Sequence, residues 1–158
     1  NPWWANADRL QSRAAMKSDP GSTEESFPIF VTALAAALSP NPERPGLYVD
    51  LPFASIDGQL RPSEPGYSAW KSRMPLYLAG QYQDNLRRLS GIGMDVGAED
   101  EYAHIAAGAR AWSRQLASLG IAHSFEVYAE GTHTSMIRKR IETRLLPFFG
   151  SRMTDDGQ

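Results

Sequence analysis

The chain of 158 residues contains no cysteine. That removes disulfide staples, thiolate metal sites and a cysteine nucleophile together, and leaves the redox compartment undetermined. It also lacks a long apolar run. The longest, Phe27 to Leu38, holds Pro28 and Thr32 and falls short of the roughly 20 residues a membrane span needs. A charge excess is missing as well: 16 basic against 18 acidic residues leave a net charge of -2, so there is no overall basic field to draw nucleic acid. The stretch from Asp19 to Glu25 is acidic, unlike the flank of a signal peptide. The first residue is Asn1 rather than Met, and the chain is expected to begin partway through a longer sequence.

What is present suits a folded domain. Hydrophobic residues make up 42% of a chain whose length is ordinary for one domain and sufficient for a sizeable core. Texture changes along it. All but one of the 11 prolines lie no later than Pro75, so regular elements before that point are expected to be short. The exception is Phe27 to Leu38, read as a helix with Ser26 as its cap, Pro28 in its first turn and Pro40 and Pro42 beyond its end. Leu47 to Pro52 is read as extended.

After Leu76 the periodicity sharpens. Leu78, Tyr82, Leu86 and Leu89 share one face of a helix ending near Ser90. Gly91 to Gly97 alternates as a strand, with Ile92, Met94 and Val96 on one side. A helix from about Tyr102 follows, carried by Ile105, Ala109, Trp112, Leu116 and Leu119 and stopped by Gly120. His123 to Tyr128 alternates again. A last helix runs from about Thr134 to Phe149, with Ile137, Ile141, Leu145 and Phe148 inward and Arg138, Lys139, Arg140 and Arg144 mostly outward. Strand, helix, strand in this compass makes two parallel strands through a right-handed crossover.

Chemistry in open parallel sheets collects beyond the carboxyl ends of the strands. Two loops reach that rim, Gly97-Ala98-Glu99-Asp100-Glu101 and Ala129-Glu130-Gly131-Thr132-His133. A carboxylate and, later in the chain, an imidazole just past neighbouring strands have the order of the acid and histidine in a Ser, Asp, His relay. Spacing alone is a weak signal and favours the plainer reading, with Asp100 a helix N-terminal residue favoured by the macrodipole and His133 a loop histidine.

From Asn85 to Phe149, under half of the chain, the sequence resembles the C-terminal part of an α/β-hydrolase of the esterase D family, which includes S-formylglutathione hydrolases, enterochelin esterases and feruloyl esterases. The resemblance lies in Asn85-Leu86, Asp95 to Asp100, Leu119 to His123 and Glu130 to Thr134. It implies an α/β fold with a parallel sheet flanked by helices, Asp100 as catalytic acid and His133 as catalytic histidine. Thr132 stands where a second glycine is commoner, and Asp95 is a weaker acid candidate because it lies inside the strand. No metal or organic cofactor is implied. A G-x-S-x-G nucleophile elbow and an oxyanion-hole loop are also implied, and the chain has neither. Gly66-Tyr67-Ser68-Ala69-Trp70 comes nearest, with Trp70 in place of the second glycine.

The expectation is the C-terminal portion of a serine carboxylic-ester hydrolase acting on a small ester. Its serine lies in an N-terminal portion that is a separate or cleaved chain. Residues 1–80 would be a lid or insertion segment, with Trp3, Trp4, Phe53, Tyr67 and Trp70 available for an acyl pocket or for the lid's own core. Residues 81–150 would be the βαβα part of the core, and 151–158 a flexible tail. The alternative is a non-catalytic binding module derived from the same fold. Three other patterns are given bland roles: Gly91-x-Gly93-x-x-x-Gly97 misses dinucleotide spacing, Glu101-x-x-His104 is solvated surface, and His123 is a strand-edge residue.

Overall fold

The computed structural model of the chain describes residues 23–57 and 59–153. Where length alone suggests one domain, the chain forms two compact units, Asn1–Tyr77 and Leu78–Gln158. Trp3, Trp4 and most of the expected tail lie outside the described residues.

The first unit begins with helix α1, Thr23–Leu38. It starts earlier than expected, so Ser26 lies inside it rather than at its cap, and Pro28 is an interior residue. As the sixth residue of the helix the proline lies past the four amides without partners at a helix start, so it removes one interior backbone donor. Past the helix, Asn41 N–H donates to the Tyr48 carbonyl (2.8 Å) and Asp50 N–H to that of Ser39 (2.9 Å), folding the proline-rich stretch back on itself. Val49 bridges to Pro40, but Tyr48 has φ 57°, so Leu47 to Pro52 is kinked rather than continuously extended.

A hairpin follows, β1 (Phe53–Ile56) antiparallel to β2 (Gln59–Pro62), with Ile56 opposite Gln59 across a two-residue connection. Asp57-Gly58 is a dipeptide that suits a two-residue hairpin connection, and Asp57 has the positive φ, 52°, that such connections favour. Helix α2, Gly66–Lys71, then delivers Trp70 to a core with Val31, Ala35 and Val49. Trp70 Nε1–H donates to Ser39 Oγ (2.9 Å), and that hydroxyl donates to the Asp50 carbonyl (2.5 Å). Trp70 is therefore core of this unit.

The second unit is mixed α/β: a small parallel sheet flanked by helices. The helix expected across Leu78 to Ser90 is two short ones, α3 (Pro75–Leu78), which crosses the boundary between the units, and α4 (Gln83–Arg87), with Gly80 between them. Strand β3 (Gly93–Gly97) leads into helix α5 (Ala103–Ser118) and strand β4 (Ser124–Tyr128), and β3 and β4 pair in parallel with Gly93 opposite Ser124 and Gly97 opposite Tyr128. Gly120, at φ 65°, lets the chain leave α5 in the left-handed region. The last helix is α6 (Ile137–Arg140), a π-helical segment Ile141–Leu145, and α7 (Leu146–Gly150).

One expectation for that last helix is reversed and another is met in part. Alternation puts Asp95 and its partner Glu126 on one face of the sheet, opposite Met94 and Val96. Arg140 turns inward onto these carboxylates, reaching Asp95 Oδ2 at 2.6 Å and Glu126 Oε2 at 2.7 Å, with its guanidinium carbon 4.5 Å from the centre of the Tyr128 ring. Ile137, Ile141 and Leu145, expected inward, are 53%, 40% and 47% exposed. The polar sheet face takes up the arginine, while the three apolar residues line the open cavity beside it and stay partly in water.

Two stability measurements follow. A Cβ at Gly66 would press into the Leu51 carbonyl oxygen and the backbone beside it, so Gly66→Ala should cost about 1–3 kcal/mol in urea unfolding by overpacking. Hydrogen bonding from Arg140 holds the Glu126 carboxyl below its ordinary value of 4.5, so the pair stabilises the fold above that value and is lost as pH falls through the depressed one. The melting-temperature gap between the native chain and Arg140→Met should accordingly narrow between neutral pH and about pH 3.

Candidate functional site

The loops after β3 and β4 are joined to each other before any side chain is considered. Ala98 N–H donates to the Tyr128 carbonyl and Glu99 N–H to that of Gly131, both at 2.9 Å. This contact needs glycine on both sides. A Cβ at Gly97 would collide with the Gly131 carbonyl, and one at Gly131 would enter the Tyr128 ring. Glu130 turns the second loop at φ 59°.

On this scaffold Asp100 and His133 meet. Asp100 Oδ1 accepts the Tyr102 amide at 2.8 Å, which sets the entry to α5, while Oδ2 faces His133 Nδ1 at 3.3 Å. The carboxylate side chain is 5% exposed and the imidazole 42%. An ionised carboxylate can only accept, so Nδ1 carries the proton and Nε2 presents a lone pair. The 3.3 Å separation is at the long end for such a bond. Tyr102 adds an edge-to-face contact to the imidazole, with ring centroids 4.8 Å apart.

The loop around His133 is pinned from both sides. Thr132 and Ser135 bond reciprocally, each hydroxyl accepting the other's amide at 3.3 and 2.8 Å. The threonine at the glycine position thus closes a turn with Ser135. Glu101 Oε2 accepts the His133 amide at 3.1 Å. Backbone hydrogen bonds, first from its own amide and then from that of His133, hold the Glu101 carboxyl below its ordinary value.

The other candidates are engaged elsewhere. Ser68 donates from Oγ to Glu64 Oε1 (2.9 Å) and from its amide to Glu64 Oε2 (3.1 Å), in the first unit. Asp95 belongs to the Arg140 network. Glu101 serves His133 rather than His104, whose ring centroid lies 6.1 Å from that of Tyr102. His123 precedes β4, between the Ile121 carbonyl at Nδ1 (2.9 Å) and Ser113 Oγ at Nε2 (2.8 Å), so it ties α5 to the strand. The roles of Ser113 and Glu101 were not foreseen. Both depend on contacts between distant positions.

A cavity of about 480 Å³ opens between the sheet and the last helix, lined by Asp95, Glu126, Arg140, Ile141, Phe148 and others but by neither Asp100 nor His133. Its carboxylates and guanidiniums neutralise one another. Among the described residues no group of three or more His, Cys, Asp or Glu forms a metal site, and no helix there is long and apolar enough to cross a membrane.

No protein-family model matches the chain, and no curated protein matches it.

The geometry makes one direct prediction. In Asp100→Asn the side-chain amide can no longer act solely as an acceptor for Nδ1–H, so the population of the Nδ1-protonated tautomer of His133 should fall. Nitrogen-15 NMR of the ring reads this directly, with His123 as an internal control whose tautomer should stay put.

Proposed function

We propose that the chain is the C-terminal portion of a serine carboxylic-ester hydrolase of the esterase D type and supplies the acid and histidine of its triad. The observation that carries this is the buried Asp100 carboxylate facing Nδ1 of a half-exposed His133, past the ends of two parallel strands. In this role His133 Nε2 takes the proton from a serine hydroxyl as it attacks the ester carbonyl. It then returns a proton to the leaving alcohol, giving an acyl-enzyme that water hydrolyses by the same relay. Asp100 holds the tautomer and stabilises the imidazolium. The first unit takes the place of the inserted lid segment.

The serine comes from outside this chain. The sequence contains no G-x-S-x-G elbow, and Ser68, its nearest approach, is bonded to Glu64. The exposed apolar stripe Ile137, Ile141, Leu145 and Phe149 supports the same reading over a complete binding module, since a water-exposed row of this kind is usual where further structure packs.

Intact mass spectrometry after treatment with a fluorophosphonate tests the proposal on protein purified from its native source. The expected result is a second polypeptide carrying the adduct, with labelling reduced about 10³-fold or more in His133→Ala. A single unlabelled species at the 17.4 kDa of this chain would overturn it and favour the binding module.

A further inference from the structure

We propose that Glu101 is a positioning residue for His133, holding the imidazole on Asp100 through the peptide backbone rather than through the ring. The inference rests on three consecutive residues, each touching the same histidine differently. Asp100 meets Nδ1 at 3.3 Å, Glu101 accepts the backbone amide at 3.1 Å, and Tyr102 packs its ring edge-to-face at 4.8 Å. Two of these contacts act on the imidazole. Only Glu101 acts on the main chain from which it swings.

This matters because His133 is poorly enclosed. At 42% exposure its side chain has little packing to limit its rotamers, and an unrestrained imidazole would lose entropy every time it returned to Asp100. The loop's other restraints sit to either side of the residue. Glu99 N–H holds Gly131, and the Thr132 and Ser135 pair closes the turn around it. The Glu101 contact falls on residue 133 itself and links it to the loop that carries the acid. A displacement of either loop is thereby shared by both members of the Asp100 and His133 pair. The depressed Glu101 carboxyl agrees with this geometry, because its own amide first and that of His133 second favour its charged form.

The role depends on the acceptor's reach rather than on its charge, and three variants separate the two. Glu101→Gln keeps an oxygen at the same distance. Glu101→Asp keeps the charge but shortens the arm by one methylene, and Glu101→Ala removes both. The readouts are hydrogen exchange of the His133 amide and the Nδ1-protonated tautomer fraction by nitrogen-15 NMR, with His123 reporting the fold of the same unit.

In Glu101→Ala and Glu101→Asp, exchange of the His133 amide should rise about tenfold, the scale of one exposed hydrogen bond, and the tautomer bias should weaken. Glu101→Gln should stay within about twofold of the native chain in both. Retained protection and tautomer bias in Glu101→Ala would overturn the proposal, and if that variant does not fold, the same result in Glu101→Asp would do so. Loss in Glu101→Gln with retention in Glu101→Asp would also overturn it, by assigning the effect to charge. The catalytic importance of the position rests on the hydrolase reading, but these measurements use neither ester nor serine. A negative fluorophosphonate result therefore leaves them interpretable, and failure here leaves the hydrolase reading standing.

Discussion

The close approach of two glycines, Gly97 and Gly131, is the constraint on which the site depends. Parallel strands end at the same edge of a sheet, but their following loops ordinarily diverge toward separate helices. Here they are drawn together by hydrogen bonds from the Ala98 amide to the Tyr128 carbonyl at the end of β4 and from the Glu99 amide to the Gly131 carbonyl in the other loop, at a distance that leaves no room for a side chain at either glycine. Everything chemical lies within a few residues of that contact. Asp100 is three residues past Gly97 and His133 two past Gly131, so small errors in backbone placement have little chain over which to accumulate.

A second device fixes the last helix to the sheet. Asp95 and Glu126, directly opposite one another on β3 and β4, would repel if left alone, and Arg140 resolves the repulsion by bonding both while lying against Tyr128. Like charges opposed across a strand pair are destabilising, and the arginine turns that penalty into a specific attachment. Apolar contact adds to this attachment, since the Phe148 ring lies against Gly93 of β3. Ile137, Ile141 and Leu145 line the open cavity beside it and stay 53%, 40% and 47% exposed, and the π-helical turn through Ile141–Leu145 shifts the residues after it relative to those before.

The strand, helix, strand core was legible because its signals were redundant. Alternation in Met94 and Val96, helical spacing from Ile105 to Leu116 and a stop at Gly120 all pointed to one arrangement, and it fixed the rim on which Asp100 and His133 stand. Where a single signal had to decide, the result was poorer. Four apolar residues at helical spacing between Leu78 and Leu89 suggested one helix, but the glycine between them allowed two short ones. The direction of Arg140 could not be read from its own helix, because it was set by charges on strands far away in sequence. The hairpin from Phe53 to Pro62 is different: Asp57-Gly58 is a local turn signal, but it stands among prolines that point to short irregular elements.

The two accounts of Asp100 that the sequence left open prove to be compatible. As a residue at the helix entry it gives Oδ1 to the Tyr102 amide, and in the proposed role of orienting acid it gives Oδ2 to His133. Using both oxygens restrains the carboxylate more than either contact alone, since rotation about its bond to the chain would break both. It also satisfies a carboxylate that is almost wholly out of water, a state that is costly without partners. A group so held resists reorganisation when charge develops on the imidazole, which is the property that makes a preorganised acid useful in acyl transfer. The helix start and the proposed catalytic pair thus share one side chain, and the fold of α5 and the aim of His133 cannot vary independently.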